Sequence, residues 1–557
     1  MDFLQIGVVL VLVLVLAIPM ANYLTTVYSL ETTKQDRVFG PIERIIYKLS
    51  GIQTSEMNWK KYAKALLFSN LIMFIISYLI IRFQGVLPGN PSNIANMDPI
   101  LAFNTAASFL TNTNLQHYSG ESGLSYLSQM TVIIFLMFTT PATGLALCIA
   151  FFRGVTGQKN MGNFYVDLVR SLTRVLLPLS ILIGLIFVSQ GVPQTFSSTA
   201  AVTTLEGAAQ NIARGPVAAL ESIKHLGTNG GGFFGVNSAH PFENPTGFTN
   251  ILEILCMFLI PAALPLTFGR MAKNKKQGWI LFTAMGLLFL FFLSVSYFSE
   301  LNGNPALEKI GLSQESGSME GKEVRFGIAQ SALFTAVTTA ATTGTVNTMH
   351  DTLTPLGGLV PLAQMMLNCV FGGDGVGTIN IVMYTIMAVF IAGLMVGRTP
   401  EFLGKKIEAR EMKLIAIVIL LHPLIILGPS AIALATEMGT SAISNTGFHG
   451  ISQVVYEFTS SAANNGSGFE GLGDNTPFWN ISTGLVMLFG RYLSMIAMIA
   501  VAGSLLTKKR VPETIGTLKT DNSTFLIILL ATVLIIGALT FFPVLALGPI
   551  AEWLTIR

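Results

Sequence analysis

Charge is scarce in this 557-residue sequence. Only 11% of the residues are Asp, Glu, Lys or Arg, while 51% are hydrophobic and the mean hydropathy is +0.63. A soluble domain carries about 25% charged residues, so this chain has too little charge to cover a water-facing surface, and lipid is its expected solvent. A net charge of only +3 argues against a nucleic-acid binder. Cysteine is scarce as well. Cys148, Cys256 and Cys369 stand far apart in apolar runs, and none has a CxxC neighbour. This speaks against a zinc or redox centre and for small buried apolar residues. No Lys or Arg precedes the first apolar run, 4–22, where only Asp2 stands. The run therefore reads as a retained first span with its N-terminus outside, and not as a signal peptide.

Long apolar runs fall near 4–22, 62–82, 125–152, 170–190, 248–269, 277–298, 355–396, 411–435, 478–506 and 522–547. About 20 apolar residues cross a bilayer, so the expectation is an all-α integral membrane protein with ten transmembrane helices. The loops support the count. Segments 23–61, 153–170, 270–276, 398–413 and 507–520 are rich in Lys and Arg, whereas 83–124 and 436–477 contain neither. Basic loops mark the cytoplasmic side, which places both termini outside.

Four outer segments share one plan. They read LAFNTAASFLTNTNLQHYSGE from Leu101, PVAALESIKHLGTNGGGFFGVNS from Pro216, FGIAQSALFTAVTTAATTGTVNT from Phe326 and GISQVVYEFTSSAANNGSGFEG from Gly450. Each has about three helical turns of small and apolar residues and then a run of the type TNTN, GTNGGG, ATTG or AANNG. Span, short helix, run and span thus recur four times in the same orientation, and repeats of this kind frame transport sites. The division is 1–61 for the first span and a cytoplasmic loop, then pore repeats at 62–152, 153–269, 270–397 and 398–506, then 507–557 for the last span. A dehydrated cation needs a ring of oxygens, mostly backbone carbonyls. Those carbonyls face a pore only where the backbone leaves the helix, which Gly permits and Asn tolerates. The reading is a pore selective for a small monovalent cation, K⁺ above all.

The run 355–396 is too long for one straight helix and is interrupted by FGGDGVG, Phe371 to Gly377. Gly372, Gly373, Asp374 and Gly375 therefore read as a break in the span, with a loop beneath the filter. Arg491 sits inside the ninth span, and a cation there faces the protein interior. It reads either as a barrier under the filter that turns the ion sideways or as the partner of Asp374 or a Glu. Glu221, Lys224 and Glu457 read as a structural ion pair or as braces of the filter backbone. His117, His240 and His449 lie near the runs, but no HxxxH or Cys/His spacing supports a metal site. An integral membrane enzyme would need convergent titratable groups in one cavity, and the acids within spans are few and scattered.

Long strings carry a resemblance: EMNWKKY at 56–62, SFLTNTNLQHYSGE at 108–121, LGTNGGGFFGVNSAHPFENPT at 226–246, GLMVGRTPEFLGKKIEAREMKL at 393–414, SSAANNGSGF at 460–469 and ALGPIAEWL at 546–554. Over essentially its full length the chain resembles the potassium-transporting A subunits (KdpA) of the Kdp ATPase complex, with a fold similar to the Trk/Ktr/HKT transporters. The resemblance implies a bacterial cell-membrane protein that captures external K⁺ and passes it through an intramembrane tunnel to a P-type ATPase subunit, KdpB, alongside KdpC and the small KdpF. It implies filter positions at Thr111, Asn112, Thr113, Asn114 and Gln116; at Gly227, Thr228, Asn229, Gly230, Gly231 and Gly232; at Thr342, Thr343 and Gly344; and at Ala463, Asn464, Asn465 and Gly466. In this alignment Gln116 stands where Gly232, Gly344 and Gly466 stand in the other runs. It also implies a gate and tunnel at Gly372 to Gly375 and Arg491. The chain has neither a GxxxxGK[ST] phosphate loop nor the DKTG phosphorylation sequence. Its cytoplasmic loops are too short for a nucleotide domain of about 100 residues or more. No nucleotide is expected on this chain, and the ATPase would be a partner. The alternative is a stand-alone Trk/Ktr-like channel or ion-coupled transporter.

Overall fold

The computed structural model describes residues 2–512 and 517–556. Among the described residues, ten helices are long and apolar enough to cross a membrane. They are Asp2–Val27, Trp59–Arg82, Tyr126–Thr156, Phe164–Ser189, Gly247–Met271, Lys275–Lys309, Val376–Met395, Ala409–Ala435, Pro477–Thr507 and Ser523–Ile556. Four shorter helices follow the pattern of the repeat: Pro99–Leu110, Val217–Lys224, Gly327–Ala340 and Phe448–Ala463. Strand is confined, among the described residues, to two small hairpins, Ala200–Thr203 with Ala209–Ile212 and Glu401–Phe402 with Lys405–Lys406.

Local chemistry starts these helices where the sequence places its caps. Asp98 accepts the N–H groups of Ile100 and Leu101, and Pro99 occupies the first turn of the first pore helix. Asn58, Thr246, Thr476 and Asn522 cap the second, fifth, ninth and tenth spans in the same way. Small residues then let helices approach closely. Ala102, Ala106, Ala107 and Ser108 are fully buried on the first pore helix. Its Asn104 amide donates to the Asn480 carbonyl at 2.9 Å and the Thr483 hydroxyl at 2.8 Å on the ninth span. Burial separates centre from rim: the most apolar stretch of the third span is 83% buried and that of the fifth 78%, against 22% for the first, second and eighth. The rim helices present their aliphatic side chains outward, as lipid-facing helices do.

The seventh hydrophobic run is broken as the glycines imply. Pro355–Leu367 and Val376–Met395 are separate helices. Between them Asn368, Phe371, Gly373 and Gly375 have φ of 45°, 60°, 58° and 122°, a backbone that no helix can follow. Among the described residues, three spans carry π-type turns, Gln129–Ile134 in the third, Ser171–Leu176 in the fourth and Ala546–Ile550 in the tenth. The second lies just before Pro178, whose missing N–H cannot serve a carbonyl in the preceding turn.

Segment 23–61 is not only a loop. It folds a helix at Gln35–Leu49, which the reading of its basic residues as a connecting segment passed over. Its Glu43 is 3% exposed and accepts two hydrogen bonds from Arg174 of the fourth span, both at 2.6 Å. Arg174 also reaches Asp36 at 2.8 Å. Removing one partner of a buried pair strands the other charge, at a cost of about 3–5 kcal/mol. Arg174→Ala should therefore lower thermal stability of the purified protein sharply, and the double variant Arg174→Met with Glu43→Gln should recover most of the loss. Equal melting of the single and double variants would show that the pair does not hold this helix.

Candidate functional site

The four pore helices end in one shared backbone pattern. In each, the last turn gives way to a residue of positive φ: Asn112 at 62°, Thr228 at 48°, Thr342 at 46° and Asn464 at 54°. The next residue turns its N–H back to the carbonyl five positions earlier, Thr113 to Ser108, Asn229 to Lys224, Thr343 to Thr338 and Asn465 to Ser460. These hydrogen bonds fix the register of the repeat. Thr113, Asn229, Thr343 and Asn465 are equivalent, and so are Asn114, Gly230, Gly344 and Gly466 that follow them. The alignment that set Gln116 against Gly344 and Gly466 is corrected by two residues. The residue that breaks the glycine pattern is Asn114, while Gln116 matches Gly232, Val346 and Gly468.

The corner glycines show how the runs meet. A Cβ on Gly230 would stand 2.7 Å from the Thr343 carbonyl oxygen of the third run. One on Gly344 would overlap the Asn465 carbonyl oxygen of the fourth, and one on Gly466 the Thr113 carbonyl oxygen of the first. The ring closes between the first and second runs through side chains. Asn114 Nδ2 donates to Asn229 Oδ1 at 3.1 Å. Asn112 Nδ2 donates to the Gly227 and Thr228 carbonyls at 3.2 and 3.0 Å. Asn464 makes the corresponding link from the fourth run to the first, donating to Thr113 Oγ1 at 2.9 Å. The runs therefore follow one another around a single axis, three corners against the next run's backbone and the first, Asn114, against the Asn229 side chain. Gly344 and Gly466 also have φ of 91° and 106°, where side chains are disfavoured. Two pore helices brace the corners with hydroxyls: Thr338 Oγ1 and Ser460 Oγ each accept the N–H of the corner glycine at 3.0 Å.

The remaining expected positions sit close by. Thr111 Oγ1 lies 2.7 Å from Thr113 Oγ1. Ala463 is buried at the last turn of the fourth pore helix, and Gly231 packs against Phe109 and the Cβ of Asn114. Gln116 lies one step outward and clasps Gly232, accepting its N–H at 2.8 Å and donating to its carbonyl at 3.3 Å. Above this level a vestibule of about 280 Å³ is lined by Asn114, Gln116, Gly230, Gly344, Gly466 and Asp474 among others.

Behind the runs are ionic clusters that sequence spacing did not reveal. Lys224, where the other pore helices carry Ser or Thr, bonds Glu243 at 2.6 Å and Glu221 at 3.3 Å with all three side chains fully buried. The Glu221–Lys224 ion pair is present, and Glu243 joins it: its other oxygen accepts the Phe234 N–H at 2.8 Å just past the second run. His225 and Glu253 adjoin them, 3.1 Å apart. At the vestibule His117 bonds Glu457 at 3.1 Å and Asn480 at 2.7 Å, with Asp474 at 3.8 Å. Burial works against charge on His117, but Asp474 and Glu457 outweigh it and raise its pKa to about 9. Burial raises Asp474 to about 7, even against the pull of His117. Each of these clusters contains a His and two carboxylates within 4.8 Å of one another. His–carboxylate grouping is therefore present in space although no sequence spacing signals it.

On the opposite side of the runs lies the broken span. The Gly373 N–H donates to the Ala341 carbonyl at 2.6 Å, and a Cβ there would stand 2.9 Å from Thr342 Oγ1 and 3.4 Å from Thr228 Oγ1. The loop Gly372 to Gly375 thus packs against the second and third runs. Asp374 is 4% exposed and neither carboxylate oxygen has a hydrogen-bond partner among the described residues. Asp374 and Arg491 form no direct ion pair. Both reach Gly144 of the third span, whose Cβ would stand 3.0 Å from the Asp374 carbonyl and 3.2 Å from an Arg491 Nη atom. Arg491 lines a cavity of about 60 Å³ together with Asn368, Asn380, Tyr384, His422 and Asn464, room for about four waters. The cavity runs sideways from the fourth run toward Ile536 and Phe541 of the tenth span.

Known proteins resemble this chain in sequence and in fold. Residues 7–554 match the family model of the potassium-transporting ATPase A subunit, KdpA. A curated relative from Geobacillus kaustophilus (strain HTA426), named potassium-transporting ATPase potassium-binding subunit, is 64% identical over 557 residues, covering 100% of this chain and 99% of the relative. The crystal structure of the potassium transporter TrkH from Vibrio parahaemolyticus superimposes with a TM-score of 0.54 at 16% identity, covering 89% of this chain and 98% of TrkH. At that identity the likeness concerns the fold.

The corner geometry has a direct consequence. Gly344→Ala and Gly466→Ala combine a strained φ, about 1–3 kcal/mol, with collision against a neighbouring carbonyl, and should lower the melting temperature of the purified protein. Gly286→Ala, in a helix interior where a Cβ meets nothing within 4 Å, should be neutral or stabilising by up to about 1 kcal/mol. Three equal melting temperatures would contradict the close approach of the runs.

Proposed function

The chain belongs to the family of potassium-transporting ATPase A subunits, and from that premise we propose that its four runs form one K⁺ filter, which captures external K⁺ and passes it sideways to a partner. The chain is the potassium-binding, non-catalytic part of a K⁺-transporting ATPase, and its role is K⁺ uptake. The observation that carries the finer reading is the closed ring of corners, in which Gly230, Gly344 and Gly466 each abut a carbonyl oxygen of the next run. A ring of backbone oxygens replaces the hydration shell of K⁺, and three corners without side chains keep it open. The first corner keeps Asn114, whose amide is turned aside to Asn229.

The route onward is lateral in this reading. Straight passage meets the loop at Gly373 and then the cation Arg491, which repels a second cation at close range. The side cavity beside Arg491 leads toward the tenth span. Energy comes from a P-type ATPase subunit, KdpB, assembled with KdpC and KdpF in a bacterial cell membrane, with both termini of this chain outside. The absence of phosphate-loop and DKTG sequences accords with ATP hydrolysis on that partner. The decisive experiment is Rb⁺ uptake by the co-expressed complex, with and without ATP. ATP-dependent uptake is expected, and strong K⁺ currents from this chain alone would overturn the reading in favour of a stand-alone channel.

The vestibule is open to test by substitution and by pH. Gln116→Arg puts a cation where K⁺ arrives and should raise the half-saturation for Rb⁺ uptake by tenfold or more, about 1.4 kcal/mol. Gly232→Asp sets a carboxylate against Glu243 and the Phe234 carbonyl and should also weaken uptake. Unchanged half-saturation in both would refute the assigned site. Asp474 has a pKa of about 7, so the vestibule loses a negative charge as pH falls from 8 to 6. His117 stays protonated through this range because its pKa is about 9. Half-saturation for K⁺ should rise by about three- to tenfold on acidification, and Asp474→Asn should flatten the profile. An equally steep profile in the variant would rule out Asp474 as the source.

A further inference from the structure

The helix Gln35–Leu49 presents three chemically distinct faces. The first faces protein: Glu43 and Asp36 bond Arg174, and Gly40 is buried between them. The face opposite carries Val38, Ile42, Ile45 and Leu49, which are 68%, 56%, 60% and 83% exposed. Their spacing of four, three and four residues puts them on one stripe. The third face carries Arg37, Arg44 and Lys48, which share a stripe by the same rule. None of the three makes an ion pair with the described residues. Both acids of the helix are spent on the inward face, so every exposed position is apolar, proline or cationic.

The attachment sets the depth. Arg174 lies ten residues into the fourth span, counted from Phe164, which is about 15 Å along the helix axis. The helix it holds is therefore level with the first turns of the span, not out in the aqueous phase. Four large aliphatic side chains in one exposed stripe would be unfavourable against water. An apolar stripe flanked by a basic one is the pattern of a helix lying in a membrane interface, with cations at headgroup level.

We propose that Gln35–Leu49 is an in-plane helix of the leaflet on the side of the basic loops, with Val38, Ile42, Ile45 and Leu49 against acyl chains and Arg37, Arg44 and Lys48 binding anionic phospholipid headgroups. Charge complementarity selects the lipid. A partner polypeptide would meet three cations and no acid on this surface, whereas an anionic leaflet offers a mobile negative charge for each cation. The helix is clamped to Arg174 beside the fourth span, so headgroup binding bears on a span that leads to the second pore helix.

The test uses the assembled complex in nanodiscs of phosphatidylcholine with phosphatidylglycerol. The native Cys148, Cys256 and Cys369 are buried, so nitroxide labels at Ile45→Cys or Arg44→Cys report on single positions, read against the unsubstituted complex. At position 45 oxygen should relax the label more than a water-soluble nickel chelate does, and at position 44 the chelate should win. Spin-labelled phosphatidylglycerol should be preferred over phosphatidylcholine at the protein surface, and Arg37→Gln with Arg44→Gln and Lys48→Gln should reduce that preference by about threefold or more. Ready access of the chelate to position 45 would place the stripe in water and overturn the proposal. Exclusion of both agents there would show a protein covering the stripe and would overturn it equally. An unchanged lipid preference in the triple variant would overturn the headgroup assignment.

Discussion

Non-helical backbone inside a membrane is tolerated only where protein or trapped water answers its polar groups, and this fold is arranged around four such stretches. Each pore helix ends at a residue of positive φ, and each following residue returns its N–H to the pore helix. A neighbouring run then packs against the freed carbonyls of Thr113, Thr343 and Asn465. The most buried spans, the third and fifth, enclose this centre, while the rim spans meet lipid. The broken seventh span is a second use of the same rule, because its loop is sheltered against the second and third runs.

The four units are not equal, and the differences lie in the side chains around the runs. Asn112 and Asn464 tie the first run to its neighbours on both sides, whereas Thr228 and Thr342 at the same position make no such link. The second pore helix exchanges a bracing hydroxyl for Lys224, drawn back into a cluster with Glu221 and Glu243. A buried ionic cluster adds little net stability but fixes geometry, since stranding any member is costly. The second run is accordingly the one held by charge, and Asn237 also bonds its Gly230 carbonyl at 2.7 Å. A fourfold plan built from one chain permits such asymmetry, which a filter of four identical subunits cannot have.

Much of this was legible in the sequence, and for physical reasons. Ten spans follow from apolar length, and the helix break follows from FGGDGVG. Four pore helices follow from one composition repeated between spans. The exact register did not follow, because Gly, Asn and Thr recur within each run and alignment by composition placed Gln116 two residues from its true equivalent. Only the backbone hydrogen bonds of Thr113, Asn229, Thr343 and Asn465 settle that. Positive φ at Thr228 and Thr342 was equally hidden, as β-branched residues seldom adopt it. The clusters of Lys224 with Glu243 and of His117 with Asp474 join residues 19 and 357 positions apart, beyond any local spacing rule. The helix at 35–49 could have been found from Val38, Ile42, Ile45 and Leu49, but its basic residues drew it into a loop.

If the four runs bind one cation column on a common axis, anomalous diffraction from crystals of the complex soaked in Rb⁺ reveals it most directly. The strongest peak is then expected on that axis, bounded by the backbone carbonyls of Thr113, Asn229, Thr343 and Asn465. A strongest peak among the vestibule acids or in the buried Glu221–Glu253 cluster, or none on the axis at saturating Rb⁺, would contradict a shared filter.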